Sequence, residues 1–464
     1  MKLTVVYKNF YKIIRFLKTY PYRQTGRAIK FLPQVLSRLE KIIILCLFIF
    51  TVGLIIYIGY LTWINHTQAV ADFGGEFREG IVGERKDIDK HLSRLIYAGL
   101  TKMDNNKNIV GDIAEDWEIK ENGKVYEFHL RPNFNSEDLA REIINQNLWQ
   151  DINISTPEPQ IITFTFKQPF SPFLYASTEP IFKYGPYRIS DEGKNEITLL
   201  ARDDYYSGRP YIDKIIIRYF SSDEELLKSV RRGDLSGFTL FKENSQNNFR
   251  EFEIGLPRYL ILFFNLSRKD LQDINIRKAL KENSAPAKEL NLRLVTSDNP
   301  KNQAIANEIQ KKWSQNKVQI TLDIKDNITL QKTTIPQRDY DLLLYSLDYG
   351  EDPDPYPFWH SSQIKEDGKN LANFKNSKAD KLLEEARQEF DFSKREEKYQ
   401  EFQKIIDAEI PMFVVEHQTL HYYVSEKIKG IEKIVGSCEA DRFLNVAAWY
   451  LETKRVKKSN GGDN

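Results

Sequence analysis

The stretch richest in reactive side chains runs from Ser346 to Gln363, SLDYGEDPDPYPFWHSSQ. It carries the carboxylates of Asp348, Glu351, Asp352 and Asp354, and the rings of Tyr349, Tyr356, Phe358 and Trp359. Pro353, Pro355 and Pro357 fix the backbone between them, which lowers the entropy of the loop and lets its charged groups be held in place. A stiff loop of carboxylates and aromatic rings suits capture of a cationic, partly apolar ligand, such as the amino terminus of a peptide. A solvated acidic turn that only joins two elements fits the same composition.

Signs of catalysis are scarce. The chain has no P-loop, no GxSxG elbow, no GxGxxG and no HExxH. His417 and His421 have the spacing of helical zinc ligands, but the surrounding MFVVEHQTLHYYV reads as a strand. On a strand their side chains stand about 13 Å apart, too far to share one ion. With 6 His and 2 Cys in the whole chain, no metal and no cofactor is expected. Acidic neighbours such as Glu384 and Glu385, or Glu396 and Glu397, point in different directions on a helix and look like solvated faces. The expectation is a binding protein, not an enzyme.

The elements that must position the loop mix strands and helices. Val125 to Leu130 and Ile161 to Phe166 alternate as half-buried strands do, and 197–200, 212–220 and 259–265 are further strand candidates. Asp89 to Leu100 reads as a helix. Strand 292–296, helix 302–313, strand 318–324 and strand 340–347 then follow in the order of an α/β lobe with a mostly parallel sheet. Two charged amphipathic helices at 379–390 and 394–406 precede strands at 412–415 and 420–424. No repeat or heptad run is present, which removes solenoid and coiled-coil architectures.

Charge is unevenly placed along the 464 residues. The totals, 67 Lys+Arg against 66 Asp+Glu, nearly cancel, which argues against a chain-wide nucleic-acid footprint. Residues 1–41 nevertheless hold ten basic residues and one acid, a balance of +9, leaving 57 basic and 65 acidic residues, or −8, for the rest. Directly after them Ile42–Ile64 runs 23 residues without a charge, about 34 Å as a helix, enough to cross a hydrocarbon core of about 30 Å. A signal peptide has a shorter apolar core ending in small residues. Here Asn65-His66-Thr67-Gln68 follows, and Cys46 lies too early in the run to be a lipidation site. The basic flank places the N-terminus in the cytoplasm and the bulk of the chain outside, anchored in the lipid bilayer through 42–64. Residues 5–19 repeat apolar positions at helical spacing among cations, which suits either an inner-leaflet contact or a solvated basic tail. With one Cys in the apolar run and Cys438 far outside it, no disulfide is expected.

Several stretches together resemble one family. They are HLSRLIYAGLTKMDNNKNIVGDIAEDWEIKENGKVYEFHLRPN (91–133), GPYRISDEGKNEITLLARDDYYSGRPYIDKIIIRYF (185–220), FFNLSRKDLQDINIRKAL (263–280), DPDPYPFWHSSQ (352–363), NLANFKNSKADKLLEEAR (370–387) and EIPMFVVEH (409–417). In this collinear order they are similar to the extracellular solute-binding proteins of the oligopeptide/dipeptide/nickel type, family 5, which feed ABC importers. The resemblance implies a two-lobed α/β periplasmic-binding-protein-like fold (type II) that closes on a ligand about a hinge. It implies peptide as ligand, an ABC permease as partner, and a carboxylate that pairs with the ligand's ammonium group. The matching position is Asp348, with Asp352 as the second choice because the spacing holds one extra residue. Tyr349, Tyr356 and Trp359 are then pocket walls. The expected divisions are a basic segment 1–41, a transmembrane helix 42–64, a first lobe 65–255, a second lobe 256–435, a return segment 436–453 and a disordered tail 454–464. Against the family pattern, the stretch after the YEFHLR strand is shortened to FNSEDLAREI (134–143), which bears on how complete the first lobe is and leaves as the alternative a degenerate cell-surface sensor or scaffold without a transport ligand.

Overall fold

The structure, a computed structural model, describes residues 37–83, 88–149, 152–350, 352, 354–431, 433–434 and 436–458. The basic tail and its 5–19 stretch lie outside the described residues, except Ser37–Lys41. The chain divides into two compact units, one of residues 1–70 with 453–464 and one of Ala71–Glu452.

In the smaller unit helix α1 (Arg38–His66) contains the expected apolar run. Ser37 opens it with a capping box: its hydroxyl accepts from the Glu40 amide while the Glu40 carboxylate accepts from the Ser37 amide. Its 29 residues span about 44 Å, and with a mean hydropathy of 2.9 over its most apolar window it is long and apolar enough to cross a membrane. Strand β1 (Thr67–Ala71) pairs with a strand at Thr453–Lys457. The expectation of disorder from 454 onward therefore fails for 454–457. Their charged sequence, KRVK, conceals a strand that needs only one partner, and the Arg455 guanidinium packs 4.8 Å from the Trp63 ring.

The larger unit is built on one ten-stranded mixed sheet. Its first-lobe side contains β2 (Glu76–Val82), flanked in parallel by a strand at 214–220 and one at 237–240. Phe77, Ile81, Leu199 and Ile217 form its core, joined by Phe443, Val446 and Trp449 from the return segment. The helix expected over 89–100 stops early, at Ile88–Ile96. Ala98 leaves it to exchange backbone hydrogen bonds with Phe182, and a side chain on Gly99 would lie within 3.0 Å of three backbone carbonyl oxygens.

After short strands β3 (Thr101–Met103) and β4 (Ile109–Gly111) comes a separate antiparallel sheet of β5 (Ala114–Lys120), β6 (Val125–Leu130), β7 (Asn153–Glu158) and β8 (Ile161–Thr165), in the order β5-β6-β8-β7. The shortened stretch 134–143 folds onto this sheet as helix Ser136–Asn145, whose first turn is capped by the Asn135 side chain accepting from the Glu137 amide. Tyr126, Phe128, Phe164 and Phe173 fill the space between them, with the last two rings 4.9 Å apart.

The main sheet continues through β9 (Tyr187–Glu192), β10 (Glu196–Ala201), β11 (Lys214–Phe220) and β12 (Gly237–Leu240). Strand β13 (Phe249–Phe264) then runs 16 residues, from the first-lobe side to the second. The second lobe adds β14 (Leu290–Ser297), helix Pro300–Ser314, β15 (Val318–Lys325) and β16 (Leu342–Asp348). Here the expected parallel grammar holds, since β14 lies parallel to both β15 and β16. The sheet as a whole is not mostly parallel, because β13 is antiparallel to β16 and to β17 (Met412–Ser425).

Both faces of the second-lobe sheet are covered, so its strands are continuously apolar. Ile261, Phe263 and Leu343 face helices Ser377–Arg387 and Phe392–Glu409 through Leu383, Phe402 and Ile406. Leu260, Leu262, Phe264, Leu342 and Leu344 point the other way, toward Trp313.

Strands β13 and β17 pair along both lobes, but their register breaks between Gly255 and Tyr259. The break contains Pro257, which cannot donate to a ladder and is accommodated at such irregularities. His417 restores one lost contact by bonding the Leu256 carbonyl through Nε2 at 2.7 Å.

Candidate functional site

Beside that break lies a cavity of about 870 Å³. Tyr259 and His417 come from the straddling strands, Tyr349, Trp359 and Phe402 from the second lobe, and Tyr175 from the side of the four-stranded sheet. Tyr259 stacks on His417 at 4.7 Å and meets Tyr349 edge-on at 5.7 Å. Burial pushes the Tyr349 hydroxyl up to about 12, so it stays protonated and can act as a donor. Asp104, Glu253 and Asp441 bring carboxylates to the wall, with Lys107 as a cation. An aromatic cavity with a few charged groups at its edge, of a size that encloses a small organic ligand, is the usual form of a binding site.

The acidic loop also borders a smaller cavity of about 520 Å³. Asp348 and Asp352 line the smaller cavity, Tyr349 and Gly350 line both, and Trp359 lines the larger. Tyr356 is on neither wall. Its ring lies 3.7 Å from the Arg387 guanidinium carbon and stacks on His360 at 4.1 Å.

Each carboxylate of the loop that the structure describes already has an arginine. Arg258 and Asp348 are directly opposed in the β13–β16 ladder, so both side chains emerge on one face and meet at 2.7 Å. The same guanidinium reaches both oxygens of the buried Glu439, at 2.7 and 3.0 Å. Burial works against the Arg258 cation, but the Glu439 and Asp348 carboxylates outweigh it and hold its pKa above the ordinary arginine value. Asp348 also accepts from the Gly350 amide at 3.0 Å and keeps nearly half of its side chain exposed. Asp352 pairs with Arg395 at 3.0 Å. Burial, only partly opposed by Arg395, pushes its carboxyl up to about 6. Asp354 takes two bonds from Arg387, at 2.8 and 2.7 Å.

Those two arginines stand where the second lobe meets the four-stranded sheet's side. The guanidinium carbon of Arg387 lies 5.6 Å from the Phe170 ring, and that of Arg395 lies 5.4 Å from Tyr175. The Ser171 amide donates to the Arg387 carbonyl at 2.8 Å, and Phe390 inserts beside Tyr126. The loop therefore braces an inter-lobe contact as well as bordering a cavity. None of these partners was visible in the loop's own sequence. Arg258, Arg387 and Arg395 are drawn from elements 90, 33 and 43 residues away.

His417 and His421 both lie on β17, as the strand reading of their stretch expects, and take separate partners. His421 bonds Glu251 at 2.8 Å, while His417 is held by Leu256. Glu251, Glu253 and His421 do bring three ligand-type atoms within 4.8 Å of one another, a cross-strand grouping that linear spacing does not encode.

Residues 143–282 match the family model of bacterial extracellular solute-binding proteins, family 5 Middle. Over that stretch the chain is similar to the family 5 solute-binding proteins. Members of this family act by binding, not by catalysis. The chain is 21% identical over 437 residues to the Escherichia coli protein named "Probable D,D-dipeptide-binding periplasmic protein DdpA", covering 71% of the present chain and 84% of the relative. Among solved structures, the oligopeptide-binding protein AppA from Bacillus subtilis in complex with a nonapeptide superimposes with a TM-score of 0.63 at 17% identity, covering 82% of this chain and 100% of AppA. NikZ from Campylobacter jejuni in complex with Ni(L-His) gives 0.63 at 17% identity, covering 81% and 99%. These likenesses establish the two-lobed fold.

Proposed function

We propose that this protein captures short peptides in the 870 Å³ cavity and delivers them to an ABC-type permease. The observation that carries the reading is the cavity itself, aromatic in its walls and placed at the β13–β17 register break, where a change in lobe angle alters its width. In this reading Tyr259, Tyr349 and Trp359 hold side chains, and the ammonium end passes Tyr349 and Gly350, which line both cavities, to reach Asp348 in the smaller one in exchange for part of its contact with Arg258. Asp352 and Tyr356 support the loop instead of touching the ligand. The names of the relatives, a dipeptide-binding protein and an oligopeptide-binding protein, support peptide as the ligand class. α1 anchors the chain in the cell membrane, with the +9 N-terminal flank in the cytoplasm and the lobes outside.

A second reading follows from the arginines bound to Asp348, Asp352 and Asp354: a receptor-like surface protein whose cleft no longer serves transport. Titration of a panel of short synthetic peptides into the full-length protein in detergent micelles, followed by calorimetry, separates the two. Saturable binding is expected. No heat from any peptide up to millimolar concentration refutes peptide capture and leaves the second reading.

A further inference from the structure

A third cavity, of about 230 Å³, lies in the return segment, and the reading of the large cavity makes no use of it. Its polar lining comes from Asn105, Lys433, Arg442 and Asn445, and its apolar lining includes Ile434 and Trp449.

Arg442 is the unusual member. Its side chain is wholly buried, with Nε donating to Glu79 at 2.8 Å and Nη1 to the Glu439 carbonyl. Its guanidinium carbon lies 4.2 Å from the Phe443 ring. Nη2 has no acceptor among the described residues. Nη2 is closed off from the cavity as the side chain stands, and a buried donor left unmet costs about 1–3 kcal/mol, more when it is charged, so an anion that draws the guanidinium toward the adjoining space recovers that cost.

The surrounding charges decide the sign of that partner. Glu79 is committed to Arg442 and to the Tyr422 hydroxyl, which donates at 3.3 Å. Asp441, also on the wall, is committed to Arg94 at 2.9 Å and to the Ser437 and Cys438 amides at 2.7 and 3.0 Å. Both acids are thus neutralised by their own arginines, and exposed Lys433 adds a positive charge. Asn105 accepts from the Asn445 amide at 2.7 Å, which leaves its own amide nitrogen to donate. Donors at one end and Ile434 with Trp449 at the other fit an anion with a short apolar body.

We infer that this cavity binds a small carboxylate, received by Arg442 and Lys433 with its hydrocarbon part against Ile434 and Trp449. The volume is below the roughly 300–1,000 Å³ of sites for larger organic ligands, which limits the occupant to a few heavy atoms or to the end of a longer molecule. Ile434 and Asp441 line both this cavity and the large one. The carboxylate therefore has two sources, a free organic acid or the acid end of a molecule held next door.

The test is calorimetric titration of the full-length protein in detergent micelles with butyrate, with butyramide as the neutral isostere. A short peptide is titrated in parallel as free acid and as C-terminal amide. Lys433→Gln, an exposed substitution that spares the core, is the probing variant, and an unchanged unfolding midpoint verifies that it folds. Butyrate binding that is absent with butyramide and at least tenfold weaker in Lys433→Gln supports the inference, with a free acid as the source. A free-acid preference of the peptide that Lys433→Gln abolishes supports it with the second source. If neither butyrate nor the acid peptide shows Lys433-dependent binding, the inference is overturned. Peptide binding equal for acid and amide and untouched by Lys433→Gln, with no Lys433-dependent butyrate binding, would overturn this site while leaving peptide capture intact.

Discussion

Replacing Asp348 by Asn keeps the shape of the side chain and removes its charge. In the free protein the loss should be small. Asp348 is nearly half exposed, and exposed ion pairs contribute about 0.2–1 kcal/mol. Arg258 would also remain fixed by its two bonds to buried Glu439. In the bound state the loss should be larger if a peptide ammonium meets this carboxylate, since a charged hydrogen bond contributes about 1.5–3 kcal/mol, equivalent to roughly 10- to 150-fold in Kd. The assay compares a short peptide bearing a free amino terminus with its N-acetylated form, by calorimetry on the wild-type protein and on Asp348→Asn. Wild type should prefer the free amine, and the variant should lose that preference while its unfolding midpoint moves little. Equal weakening of both peptides, or of neither, refutes the role of Asp348. Arg258→Gln gives the contrasting result: Glu439 loses its guanidinium in a site 1% exposed, so folding itself should suffer by about 3 kcal/mol or more.

Burial raises the Asp352 carboxyl to about 6, so between the ordinary carboxylate range and that value the folded state binds the extra proton. Its contribution to stability is therefore present at low pH and lost as pH rises through about 6. Unfolding midpoints measured from pH 4 to 7 should show that slope in the wild type, reduced in Asp352→Asn; identical slopes would count against the assignment. Gly123 has φ +87, and a Cβ there would fall about 2 Å from the Phe390 ring atoms. Gly123→Ala should cost about 1–3 kcal/mol, partly recovered by Phe390→Ala, and no recovery would show that the clash is not the cause. Glu79→Gln leaves wholly buried Arg442 without its counter-charge and should lower the unfolding midpoint by an amount corresponding to about 3–5 kcal/mol. An unchanged midpoint would contradict the burial of the pair.

The sequence displayed those parts whose logic is local. Alternation announced Val125–Leu130, and apolar spacing announced helices Ser377–Arg387 and Phe392–Glu409, because each buries one face against one layer. It concealed the first ten residues of β13, since Gly255 and Pro257 read as strand breakers and only the partner strand β17 shows that they form an irregularity within a longer ribbon. The four-stranded sheet was likewise half visible, as the charged β5, AEDWEIK, exposes most of its residues. For the acidic loop, composition pointed to a stretch that borders both cavities, with Tyr349 and Trp359 on the wall of the larger one. It could not disclose that the charges were already matched, because ion-pair partners are chosen by the fold and carry no spacing signature.

The two ribbons that run unbroken through both halves also limit how the molecule can be dissected. A fragment ending near residue 255 would keep β13 only up to its register break and lose all of β17, baring raw sheet edges on either piece. Ligand recognition in this protein cannot be apportioned by cutting it in two; only point changes that leave the pair of ribbons whole will report on it.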